Sequence, residues 1–118
     1  MFTYPGGPNV ADDFKQSEVG DRYAQALFEL AQANGALDQV RADLVATKAM
    51  LTESADLRRL LASPAYPAEA KGQGLAALAD KAGFSPLTKK VFGLLAANRR
   101  ASALPAVIAG FQALYDKH

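Results

Sequence analysis

From Ser17 onward the chain is punctuated as one helix after another, and no other regular structure competes with that reading. Ala and Leu dominate, β-branched residues are few, and no alternation of period two is sustained. The apolar-periodic segments break at capping residues, prolines and glycines. Ser17 caps a first helix, and Gly35 is placed to end it near Asn34. A second runs from about Leu37 to Glu53, with Leu37, Val40, Leu44 and Leu51 at helical spacing. Ser54 caps a short third helix holding Leu57, Leu60 and Leu61, with Pro64 just beyond its end. Pro67 suits the first turn of a fourth, which carries Leu75 and Leu78 and ends at Gly83. Ser85-Pro86 opens a fifth, through about Arg99. Pro105 opens a sixth, with Val107, Ile108, Phe111, Leu114 and Tyr115 available for packing. Because the connections are short, the expectation is an all-α, compact six-helix bundle over residues 17–118. A Pro-, Gly- and Asp-rich flexible arm over residues 1–16 precedes it.

Composition narrows the chemistry. Half of the residues are hydrophobic and 21% are charged, the balance of a soluble globular domain and not of a disordered or membrane-spanning chain. A chain of 118 residues suits one domain and can bury a core without staples. No cysteine is present, which excludes disulfides, thiolate catalysis and Cys-type zinc sites. The single histidine is the terminal His118, a poor start for a metal site or a catalytic dyad and expected to be exposed and idle.

The formal net charge is +1, and the cationic pairs Arg58–Arg59, Lys89–Lys90 and Arg99–Arg100 are scattered. That pattern reads as solvated helix faces, not as a nucleic-acid footprint. No apolar run approaches the ~20 residues that span a bilayer. The opening Met1-Phe2-Thr3-Tyr4-Pro5-Gly6-Gly7-Pro8 lacks the layout of a signal peptide. The expected place is the cytosol, unless a partner brings the chain to a membrane. Asp12-Asp13 lies in the arm, where a fixed catalytic geometry is not expected. Glu53 and Asp56 read as helix-end charges. Gly72, Gly74 and Gly83 lack the Gly-Lys-Ser/Thr ending of a phosphate loop, and the first two suit close packing or a relaxed helix. No catalytic residue, cofactor site or metal site is expected.

Two helices carry more apolar surface than one core-facing side needs. On a wheel of the first helix, Glu18, Asp21, Arg22, Gln25, Glu29 and Gln32 fall within about 100°, leaving an apolar or small arc of about 220°. Val19, Tyr23, Ala26 and Leu30 lie on one flank of it; Ala24, Leu27, Phe28 and Ala31 continue round the other. In the fifth helix Leu87, Val91, Phe92, Leu94, Leu95 and Ala96 span about 200°, with Asn98 inside that arc and Lys89, Lys90 and Arg100 on the other side. Two arrangements account for this. Both helices could be central in the bundle, or a groove between them could accept an amphipathic helix from a partner. In the groove reading Ala26 lets a foreign backbone approach, Tyr23 offers area plus a hydroxyl, and Asn98 is the polar group placed to bond a partner's backbone. Alternatively, Asn98 is a helix-end residue satisfied by solvent.

The run Arg22-Tyr23-Ala24-Gln25-Ala26-Leu27-Phe28-Glu29-Leu30-Ala31 resembles the opening helix of ATP synthase delta subunits, known in mitochondria as the oligomycin-sensitivity-conferring protein. Leu94-Leu95-Ala96-Ala97-Asn98-Arg99-Arg100-Ala101-Ser102-Ala103-Leu104-Pro105 resembles a second segment of that family, and Leu60-Leu61-Ala62-Ser63-Pro64 fits between them. The resemblance covers about Val19 to Tyr115. It implies a six-helix N-terminal domain of a non-catalytic stator subunit, seated on the catalytic head. Its first and fifth helices would bind the N-terminal helix of an alpha subunit. Carried over by position, the groove would comprise Tyr23, Ala26, Leu27 and Leu30 on one side and Val91, Leu94 and Asn98 on the other. Val40 corresponds to a position that is aromatic in some relatives.

The resemblance further implies a peripheral place on the cytoplasmic face of the bacterial inner membrane, without direct membrane insertion. Contact with the b-subunit stalk would run through a C-terminal domain that this chain lacks. The isolated domain is expected to be a monomer without cofactor. The rival reading is a stand-alone helical adaptor for some other amphipathic segment.

Overall fold

The computed structural model describes residues 14–118. They form six α-helices: α1 (Glu18–Ala33), α2 (Leu37–Glu53), α3 (Ala55–Ala62), α4 (Ala68–Ala82), α5 (Pro86–Ala97) and α6 (Leu104–Lys117), with a 3-10 turn over Ala101–Ala103. Among the described residues there is no strand.

The caps explain the starts. Ser17 Oγ accepts the Gly20 N–H at 3.0 Å, Ser54 Oγ accepts that of Leu57 at 3.1 Å, and Ser85 Oγ that of Leu87 at 3.2 Å. Each satisfies a donor that has no partner within its own helix. Pro67 is the cap of α4 and not a residue of its first turn.

Three helices stop by one device, a residue in the left-handed region followed by backbone bonds that reach back over the last turn. Gly35 at φ 66° and Gly83 at φ 71° are the expected glycines. The third such residue is Arg99 at φ 60°. The Arg99 N–H donates to Ala96 O at 3.0 Å and the Arg100 N–H to Leu95 O at 2.7 Å. Helix α5 therefore ends at Ala97, about two residues before the expected Arg99, because the chain turns at a non-glycine.

Helix α1 packs chiefly on α6 and α4 on α5, while α2 touches α1, α5 and α6. The α1–α6 seam is built from small residues. A Cβ on Gly20 would lie 2.6 Å from the Ala106 Cβ, and one on Gly110 would lie 3.0 Å from the Ala24 Cβ. Leu27, Phe92, Leu95, Leu104, Val107 and Phe111 fill the core beside that seam. Val40 is buried there too. Gly72 and Gly74 face close neighbours, Ala96 and the Leu60 side chain, as close packing requires.

Helix α5 is anchored by a buried carboxylate. Asp43, 3% exposed, projects from α2 to the start of α5. Its Oδ2 accepts the Ser85 N–H at 2.8 Å and the Thr88 hydroxyl at 2.7 Å, and its Oδ1 accepts from Gln39 Nε2 at 2.7 Å. An acceptor at a helix start meets unpaired N–H groups and the positive end of the helix dipole, so the burial is compensated. Lys89 adds an exposed ion pair to Asp80 on α4 at 2.7 Å.

Residues 14–16 were expected to belong to the flexible arm, but they hold to the bundle. Phe14 packs against the core with the Lys48 ammonium 5.1 Å from its ring centroid, and Gln16 donates to Asp21 at 3.1 Å. The remainder of that arm, with Asp12 and Asp13, lies outside the described residues. His118 is exposed, yet its ring meets Phe28 edge-on with centroids 5.7 Å apart. Tyr115 donates its hydroxyl to Asp38 at 2.6 Å. That hydrogen bond to a carboxylate holds the phenol above its ordinary pKa.

Candidate functional site

Helix α1 bears two parallel stripes of the same spacing, offset by one residue. Gly20, Ala24, Leu27 and Ala31 are buried. Val19, Tyr23, Ala26 and Leu30 are half-buried or exposed, Leu30 to 44%. On α5 the residues Thr88, Val91, Phe92, Leu95 and Ala96 are buried, whereas Leu94 stands 49% exposed. Of the four large apolar side chains exposed among the described residues, two are therefore Leu30 and Leu94, on the pair of helices whose apolar arcs were too wide.

Between these helices runs an open groove of about 520 Å³, lined by Val19, Arg22, Tyr23 and Ala26 from α1 and by Leu94, Asn98 and Arg100 from the end of α5. Asn98 caps α5, and its Nδ2 donates to the Tyr23 hydroxyl at 2.8 Å, tying the two walls together. The amide is thus engaged within the chain and not simply satisfied by solvent. As an acceptor in that bond, the Tyr23 hydroxyl keeps its own proton to donate elsewhere.

The structure brings Tyr23, Ala26, Leu94 and Asn98 of the expected residues into one lining. Leu30 is exposed on the same stripe beyond that lining. Leu27 and Val91 do not belong there. Leu27 is 0% exposed and Val91 6%, both in the core cluster. The wheel shows an arc of apolar residues but not which part of it the bundle covers, and the middle of the arc goes inward.

Three lining residues were missed: Val19, Arg22 and Arg100. Val19 and Arg22 do share the i, i+3, i+4 stripe with Tyr23 and Ala26, but the charge of Arg22 assigned it to the solvent side. Two further clefts use the Phe14 ring as a wall, one beside Leu51 and Leu61 and one beside Val45 and Ile108. Among the described residues no His, Cys, Asp or Glu side chains group to hold a metal ion, and no helix is long and apolar enough to cross a membrane.

The groove sets apolar Val19, Ala26 and Leu94 beside the polar groups of Tyr23, Asn98 and two arginines, with no carboxylate or imidazole in its lining to serve as a base. A lining of that kind favours binding over bond-making. Comparison with known proteins agrees in kind. A family model described as ATP synthase delta (OSCP) subunit matches residues 19–118. Over 109 residues the chain is 56% identical to an ATP synthase subunit delta of Caulobacter vibrioides, covering 92% of this chain and 59% of that protein. A subunit delta of Phenylobacterium zucineum is 58% identical over 103 residues, covering 87% of this chain and 56% of that protein. The chain thus spans somewhat more than half the length of these relatives. Among solved structures, a chain of the Polytomella F-ATP synthase, refined on its F1 head and rotor, superposes with a TM-score of 0.77 at 26% identity. That match covers 90% of this chain and 93% of the other.

Proposed function

The chain belongs to the ATP synthase delta (OSCP) subunit family, and from that membership we propose that it is a non-catalytic stator module whose α1–α5 groove docks the N-terminal helix of an alpha subunit. One observation carries the proposal. Ala26 and Leu30 of the second α1 stripe and Leu94 of α5 stand exposed, with Val19 and Tyr23 half-buried along the same wall. An amphipathic helix laid there would bury them at i, i+3, i+4 and i+7 spacing. Covering the exposed halves of Leu30 and Leu94 would contribute on the order of 1 kcal/mol each. The Tyr23 hydroxyl would donate to a partner carbonyl, while Ala26 permits close backbone approach.

The physical task fits such a contact. A stator joins the static head to the peripheral stalk, so that rotor torque does not turn the head. A packed helix that dissociates slowly resists that load. We assign the b-subunit stalk contact to the part of the family that this chain does not span, and the module's place to the cytoplasmic face of the inner membrane, peripheral and without insertion. Family membership also counts against the stand-alone adaptor reading.

Calorimetry tests the proposal with a synthetic peptide of the alpha subunit's N-terminal helix from the same genome. Binding is expected at micromolar concentration or below. Ala26→Asp should abolish it with helix content unchanged, since the larger charged side chain would hold a partner backbone off the wall and lose its hydration on docking. No heat with the wild-type protein, or normal binding by the Ala26→Asp variant, overturns the groove.

A further inference from the structure

We propose that the segment seated in the α1–α5 groove carries carboxylates at the end that lies over Arg22 and Arg100; this inference rests on the docking reading above. Among the described residues, the charged members of the groove lining are Arg22 and Arg100, and no carboxylate belongs to it. The two cations lie at one end. Arg22 is one turn past Val19 near the start of α1, and Arg100 follows Asn98, whose amide reaches Tyr23. Toward Leu30 and Leu94 the walls become apolar. An occupant that matches both ends is a helix with an apolar stripe and acidic residues in one terminal turn.

The rival explanation is that both arginines serve their own helices. It holds for Arg100, which stands just past the C-terminus of α5, where a cation complements the helix dipole. The dipole gives Arg22 no such role, since it lies near the positive end of α1, and its service to its own helix is limited to one i, i+4 pair. Arg22 pairs with the carboxylate of Glu18 at 3.7 Å, and the two side chains are 75% and 87% exposed. Such a pair is weak and readily exchanged for a better-placed acceptor. Two exposed guanidinium groups, each able to take a carboxylate on two N–H donors, therefore line one end of the groove. Rim charges of this kind act on encounter rate and on register more than on final affinity.

The test compares wild-type protein with the Arg22→Gln/Arg100→Gln variant. The probe is the synthetic alpha-subunit N-terminal peptide, followed by stopped-flow fluorescence from low to high salt. Both arginines are exposed, so circular dichroism should show the variant folded. The expected result is association roughly tenfold slower at low salt, dissociation within about twofold, and a salt dependence largely lost. A peptide whose terminal acidic residues are replaced by Gln or Asn should show the same slowing on the wild type. Combined with the protein variant, it should add little.

Equal rates and equal salt dependence for the variant overturn the inference while leaving docking intact, as would a tightly bound peptide with no carboxylate in either terminal turn. If the wild-type protein fails to bind at all, the docking reading falls and takes the inference with it.

Discussion

The two apolar faces of α1 are made from the same kinds of residue and end differently. The face toward α6 carries Gly20, Ala24, Leu27 and Ala31, and α6 answers it with Ala106 and Gly110, small residue against small residue. The backbones come so close there that no Cβ fits at Gly20. The face toward α5 carries Val19, Tyr23, Ala26 and Leu30, and among the described residues it is covered only in part: Val19 and Tyr23 are half-buried, while Ala26 and Leu30 stand exposed. Its neighbour α5 is held from behind by Asp43 of α2, and it meets this face through the Asn98–Tyr23 bond at the groove's end. A closed seam needs complementary shape on both sides. An open one with the same spacing has half of a helix–helix interface already built.

Substitutions should separate the two faces, the largest effects falling on the closed one. Gly20→Val would drive a branched side chain into Ala106 and should cost about 3 kcal/mol, read as a lower urea midpoint. In a domain of this size that corresponds to a drop in Tm of roughly 10 °C or more. Asp43→Ala strips the Ser85 N–H and the Thr88 hydroxyl of their buried acceptor and should cost about 2–3 kcal/mol by the same measurement. It should also loosen α5 and so weaken peptide binding without touching the groove. The smallest effect has the opposite sign. Gly93 lies inside α5, exposed, with nothing within 4 Å of a would-be Cβ. Gly93→Ala should stabilise by about 0.5–1 kcal/mol, seen as a higher Tm.

What could be read in advance follows the range of the interaction. Serine caps and glycine stops act within a few residues, so Ser17, Ser54, Ser85, Gly35 and Gly83 marked helix ends directly. Arg99 plays a glycine's part without being one, and the end of α5 was misplaced accordingly. The role of Asp43 had no local sign, because its partners Ser85 and Thr88 lie 42 and 45 residues along the chain. Excess apolar circumference on α1 and α5 was visible on the wheel. Which part of it stays open was not, since that depends on where α6 crosses α1. Leu27 and Leu30 are the same residue type one turn apart, and only packing tells them apart.

Methyl-resolved NMR of the folded domain, titrated with the alpha-subunit peptide, addresses that distinction most directly. The signals of Leu30 and Leu94 should shift along one saturating curve, with Leu27 nearly unmoved behind the wall. Shifts confined to Val45 and its surroundings on α2, with Leu30 and Leu94 still, would contradict the account.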